Sequence, residues 1–156
     1  MNSMEEVFIL SKILLEIMEK KINYLEKINN ITENQSSVIQ SESIDFEIFG
    51  ALSEQKLELT EKVNELDIQF ENIYANIRPQ IENNMQQIKE IYKELQINIR
   101  IVADYIIKIE INEENNRQHL QAYFSRTRKE LNILSKGKTQ ILKSYKDNNM
   151  FSKRES

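Results

Sequence analysis

Apolar residues recur along almost the whole of this chain at alternating steps of three and four, and little interrupts them. Two glycines and one proline stand among 156 residues, where average usage would place roughly eleven and eight. Turns and hairpins draw on those two residue types, so a chain nearly without them has few turns. The pattern predicts an all-α fold, an antiparallel bundle or coiled coil of three long helices.

In the first segment Val7, Leu10, Leu14, Ile17, Tyr24, Ile28 and Ile31 form a seam, with Lys21 as its polar member. Phe8, Leu15, Met18, Ile22 and Leu25 widen that seam to one side. A widened stripe marks a helix that touches more than one partner. The polar run 32–43 reads as the first connection. Ser43 or Asp45 then caps a second helix, with Asp45 and Glu47 placing negative charge in its first turn. Its seam is Phe49, Leu52, Lys56, Leu59, Val63, Leu66, Phe70, Ile73 and Ile77. Gly50 lies in the first two turns, where the missing side chain suits close approach of a neighbour. Pro79 ends or kinks the helix, since its ring clashes with the preceding turn, and this places the second turn at 78–84.

The third helix keeps the heptad through Met85, Ile88, Tyr92, Leu95, Ile99, Val102, Ile106 and Ile109. Glu113 and Asn116 then occupy the seam, and Leu120, Phe124, Thr127, Leu131 and Leu134 resume it after a stutter. Gly137 is a natural C-cap. The expected organisation is a bundle over 1–137, with helices at about 4–33, 44–77 and 84–136, followed by a flexible basic tail at 138–156. At 1.5 Å per residue the first two helices run roughly 45–50 Å and the third roughly 75 Å. Either about 25 Å of the third helix overhangs its partners from near 113–116, or it bends there and folds back as a fourth helix. An overhang leaves Leu120, Tyr123, Phe124, Leu131 and Leu134 without an obligatory partner, which marks an interaction face. Asn115 and Asn116 read either as a wet opening of the bundle or as a device that sets register.

Composition narrows the chemistry. With no cysteine there is no disulfide, thiolate metal site or thiol catalysis. His119 is the single histidine, and Asn116 stands where a di-iron bundle needs its glutamate. Glu113 and Glu114, like Glu5 and Glu6, are adjacent on a helix and point in different directions. Glycines are too few for a phosphate loop or a nucleophile elbow. No enzyme activity, cofactor or metal is expected. No apolar run approaches the length of a membrane span. Glu5 and Glu6 replace the basic start of a signal peptide, so a cytoplasmic chain is expected. Residues 126–156 carry 9 basic and 3 acidic side chains, a net of +6 against −10 for the remainder. No base-reading motif accompanies that charge, so it suits a solvated or acid-facing segment better than nucleic acid.

Two stretches carry a family likeness. One is Asp45, Glu47, Phe49, Leu52 and Lys56, an acid-capped helix start. The other runs through Ile109, Glu110, Glu113, Asn115, Asn116, Leu120, Tyr123, Lys129 and Glu130 to a tail bearing Tyr145. Together they resemble the FlgN-type flagellar export chaperones, and the FliT-like flagellar chaperones share this size and composition. Ile44 stands where the family usually has glycine before the capping aspartate, and Asn148 and Asn149 replace its tail glycine. The resemblance implies a cytoplasmic type III export chaperone that holds the amphipathic ends of hook-associated junction proteins and delivers them to the export gate. Pattern and resemblance together place cargo on Leu120, Phe124, Leu131 and Leu134, extended by Ile141, Leu142 and Tyr145. Resemblance and exposure alone make Tyr123 the candidate contact to the export gate. The alternative is a structural coiled coil that pairs with a second copy as a homodimer.

Overall fold

A computed structural model describes the backbone of residues 3–155 and the side chains of residues 4–143. Three helices follow one another: α1 (Ser3–Ile39), α2 (Phe46–Asn83) and α3 (Lys89–Glu155). Helix packs on helix, and no strand occurs among the described residues. The all-α bundle that the periodicity demands is the fold. The chain divides into two compact units, Met1–Asn116 and Arg117–Ser156. Among the described residues no helix begins after Asn116, and α3 runs on to Glu155.

The first unit is built around α1. Val7, Leu14, Met18, Leu25 and Ile28 are buried from α1, Val63, Ile77 and Ile81 from α2, and Ile88, Leu95, Val102 and Ile109 from the third segment. Both flanks of the α1 stripe are used, Leu15 and Ile22 packing beside Leu10 and Tyr24. Phe8, expected in that stripe, is exposed instead, with the Lys12 ammonium 4.6 Å from its ring centroid. Two seam lysines find carboxylates on neighbouring helices: Lys21 pairs with Asp67 at 2.6 Å and Lys56 with Glu113 at 3.0 Å. A lysine at a seam position keeps its charge if a partner is supplied and its stem lies along apolar surface.

Helix ends differ from those expected, for identifiable reasons. α1 runs on to Ile39, six residues beyond the expected 33, because Gln35 and Ser36 of its last turns bond Ser53, Lys56 and Asn116 of the other two helices. Thr32 and Gln35 are buried there, and Ile39 and Ile44 are buried around the connection. Asp45 caps α2, its carboxylate accepting from the backbone N–H groups of Glu47 and Ile48 at 3.1 Å each. Ile44 and Phe49 occupy the two positions of a hydrophobic staple about this cap. Pro79 neither ends α2 nor sets the turn at 78–84. The helix continues to Asn83 because Ile77 and Ile81, on either side of the proline, are both buried. Asn84 closes it, its backbone N–H bonding the carbonyls of Gln80 and Ile81. Gly50 is exposed, and a Cβ there would meet nothing within 4 Å, so no neighbour makes use of its missing side chain.

α3 also passes through Gly137, expected to be its C-cap, and the backbone is helical to Glu155 across most of the expected 138–156 tail. A glycine in a helix interior costs about 0.5–1 kcal/mol, too little to stop a helix whose flanking residues favour it.

The seam of α3 faces one side of the expected one. Ile88, Leu95, Val102, Ile109 and Asn116 are buried at steps of seven, as the heptad requires. The intervening positions are Ile91, Asn98, Tyr105 and Asn112, all half-buried. On the other flank Ile99 and Ile106, expected in the core, stand 50% and 37% exposed. Ile91 and Tyr105 pack on the core cluster and fix the rotation.

Candidate functional site

Two places stand out: a polar layer that closes the first unit, and the apolar face of the second unit. The polar layer joins all three helices. Lys56 of α2 donates to Gln35 Oε1 of α1 at 2.7 Å while pairing with Glu113 of α3. Gln35 in turn donates to Ser53 Oγ at 2.8 Å and to the Phe49 carbonyl at 3.3 Å. One turn along, Asn116 Nδ2 donates to the Thr32 carbonyl at 3.3 Å, and Ser36 Oγ donates to Asn116 Oδ1 at 2.6 Å. Each helix places its polar group against a complementary one, so the layer is satisfied although Gln35, Thr32 and Asn116 are buried.

Asn116 is thus a bonded core residue and not a wet opening, whereas Asn115 is exposed. A polar contact that is satisfied in one alignment only is a register device. The layer also brings together Lys56 from one of the two family-like stretches and Glu113 from the other. Sequence reasoning missed Gln35, whose signal was a glutamine at seam spacing after Ile28 and Ile31.

The second unit is the C-terminal part of α3. At 3.6 residues per turn Leu120, Phe124, Leu131, Leu134, Ile141 and Leu142 fall within an arc of about 100°. Phe124, Leu131, Leu134, Ile141 and Leu142 are between 45% and 71% exposed, and Leu120 is half-buried. These exposed positions form one stripe, with Thr127 in line and its hydroxyl donating to the Tyr123 carbonyl at 3.0 Å. Tyr123 is half-buried and sets its ring edge-on to Phe124, with centroids 5.7 Å apart and planes at 73°. Five turns before Ile141 and at the same angle, it stands on the edge of that arc. Tyr145 lies beyond the residues whose side chains are described.

A stripe of this kind can bury apolar surface against another helix, and the basic residues alongside it favour a partner with acidic flanks. Among the described residues no three histidine, aspartate or glutamate side chains are grouped to hold a metal ion. Among the same residues no helix is long and apolar enough to cross a membrane. No family model, curated protein or solved structure matches this chain.

Proposed function

We propose that this chain is a cytoplasmic flagellar export chaperone of the FlgN type. It binds the amphipathic helical ends of hook-associated junction proteins, prevents their premature assembly and delivers them to the export gate. It does so by binding alone, without catalysis. The observation that carries this reading is the exposed stripe Phe124, Leu131, Leu134, Ile141 and Leu142 on a helix outside a first unit that has its own core. Cargo ends that form coiled coils with one another need a helical apolar face to cover them, and helix-on-helix burial supplies it. Support also comes from the family-like order of Asp45 to Lys56 and Ile109 to Tyr145. In this reading Leu120, Phe124, Leu131, Leu134, Ile141, Leu142 and Tyr145 hold cargo, and Tyr123 meets the export gate.

Calorimetry with the C-terminal helices of hook-associated proteins tests this reading. The wild type is expected to bind, and Leu131→Asp to lose binding at unchanged helicity. A wild type that binds none of them and sediments as a dimer overturns the chaperone reading in favour of a self-pairing coiled coil.

A further inference from the structure

Counted in heptads, the stripe of the second unit is two rows. Phe124, Leu131 and Lys138 form one, and Thr127, Leu134 and Ile141 the other. Lys138 therefore stands inside the apolar face, at the angle of Leu120 five turns earlier for roughly 3.6 residues per turn. The two polar members of the stripe differ. Thr127 meets its own need, its hydroxyl donating to the Tyr123 carbonyl at 3.0 Å. Lys138 has nothing on its own helix to pair with. Its neighbours three and four residues away are Leu134, Ser135, Ile141 and Leu142, and Glu130 is the one acidic side chain in 117–143.

The first unit shows how this chain accommodates a lysine at such a position. At steps of seven, Lys21 stands between Leu14 and Ile28, and Lys56 between Phe49 and Val63. Their side chains are only 15% and 18% exposed. Each bonds a carboxylate on a neighbouring helix, Asp67 at 2.6 Å and Glu113 at 3.0 Å. Lys138 occupies the same position in its row but is exposed. A helix laid over the stripe takes its ammonium out of water, and a desolvated charge is costly unless it is paired.

We infer that the stripe takes an amphipathic helix whose apolar face carries one carboxylate, aspartate or glutamate, opposite Lys138. A lone lysine in a helical seam fixes register and selects the partner at a cost in stability. Here it aligns the incoming helix and rejects those that leave the ammonium unpaired. A second copy of this chain does not meet that demand. Parallel pairing in register sets Lys138 against Lys138, and no seam position from Leu120 to Leu142 is acidic. The inference rests on the reading that the stripe covers a helix, and not on that helix belonging to a hook-associated protein.

The test uses two helical peptides with leucine at every seam position but a central one, which is glutamate in the first and glutamine in the second. Flanking positions are neutral, and calorimetry reads binding to the full chain. The wild type is expected to bind the glutamate peptide roughly tenfold more tightly than the glutamine peptide, since the bond to Lys138 is then charge-assisted on both sides. Lys138→Met is expected to remove or invert that preference at unchanged helicity. Comparing the two chains cancels what each peptide gains by pairing with itself. Leu131→Asp is expected to abolish binding of both. A wild type that binds the two peptides equally overturns the inference, as does a preference that survives Lys138→Met. Binding of neither peptide overturns it together with the stripe as a helix-binding face. Peptide preference without binding of hook-associated helices upholds the inference and removes only the cargo assigned above.

Discussion

Ser36 Oγ donates to Asn116 Oδ1 at 2.6 Å, joining the end of α1 to the last residue of the first unit. The same asparagine donates to the Thr32 carbonyl, so both ends of one side-chain amide are engaged by a single turn of α1. Asn116→Ala removes both bonds at a buried position. Urea unfolding is expected to show a loss of about 1–3 kcal/mol.

Lys56 joins Gln35 and Glu113 in the adjacent part of the layer. Lys56→Ala leaves the Gln35 carbonyl oxygen buried without that donor, an expected cost of about 1–3 kcal/mol. Glu113→Gln removes only the half-exposed end of the pair and is expected to cost less than about 1 kcal/mol. A double-mutant cycle in urea separates the two. Equal losses would place the weight on the ion pair and not on the amide.

The rotation of α3 makes a clean comparison between neighbouring rows. Ile109→Ala, at a buried position, is expected to cost about 2–5 kcal/mol. Ile99→Ala, half in solvent, is expected to cost less than about 1 kcal/mol. Thermal unfolding of the two variants decides which row faces the core.

Asp45 bonds two backbone N–H groups at the start of α2. Asp45→Ala is expected to lose about 0.5–2 kcal/mol, with Asp45→Asn losing only a fraction of that. Chemical unfolding of both variants distinguishes the cap bond from the charge.

Gly50→Ala is expected to stabilise by about 0.4–1 kcal/mol, because the added methyl meets nothing within 4 Å and the unfolded chain loses freedom. A destabilised variant would show that a partner approaches α2 there.

The seam of α2 was legible from Phe49 to Ile77, since each of its positions is buried or half-buried while Ile48, Leu57 and Ile68 stand scattered and exposed; Ile81, buried beyond the proline, was missed. α3 was not, because apolar residues stand on both sides of the shared row Ile88, Leu95, Val102 and Ile109. The true flank includes Asn98 and Asn112, and the rejected one holds Ile99 and Ile106, so hydropathy favoured the wrong side. Only the packing of Ile91 and Tyr105 distinguishes them. The polar run 32–43 looked like a loop because its partners, Ser53, Lys56 and Asn116, are distant in sequence. Proline and glycine misled in the same way: at Pro79 tertiary burial outweighed local propensity, and at Gly137 the penalty was small. The apolar stripe from Leu120 to Leu142 was legible from spacing alone, whereas the bonds from Gln35 to Ser53 and from Ser36 to Asn116 needed three helices in place.

Because α3 is one uninterrupted helix, the part after Asn116 begins from turns already ordered by the first unit. Starting a helix in water is the unfavourable step, and adding a residue to an existing end is nearly neutral. Residues 117–143 therefore need no nucleus of their own. They lengthen or unwind one residue at a time from an anchored end, in a zipper-like equilibrium with no all-or-none transition. A partner that covers the stripe draws that equilibrium outward in proportion to how far along the helix it reaches.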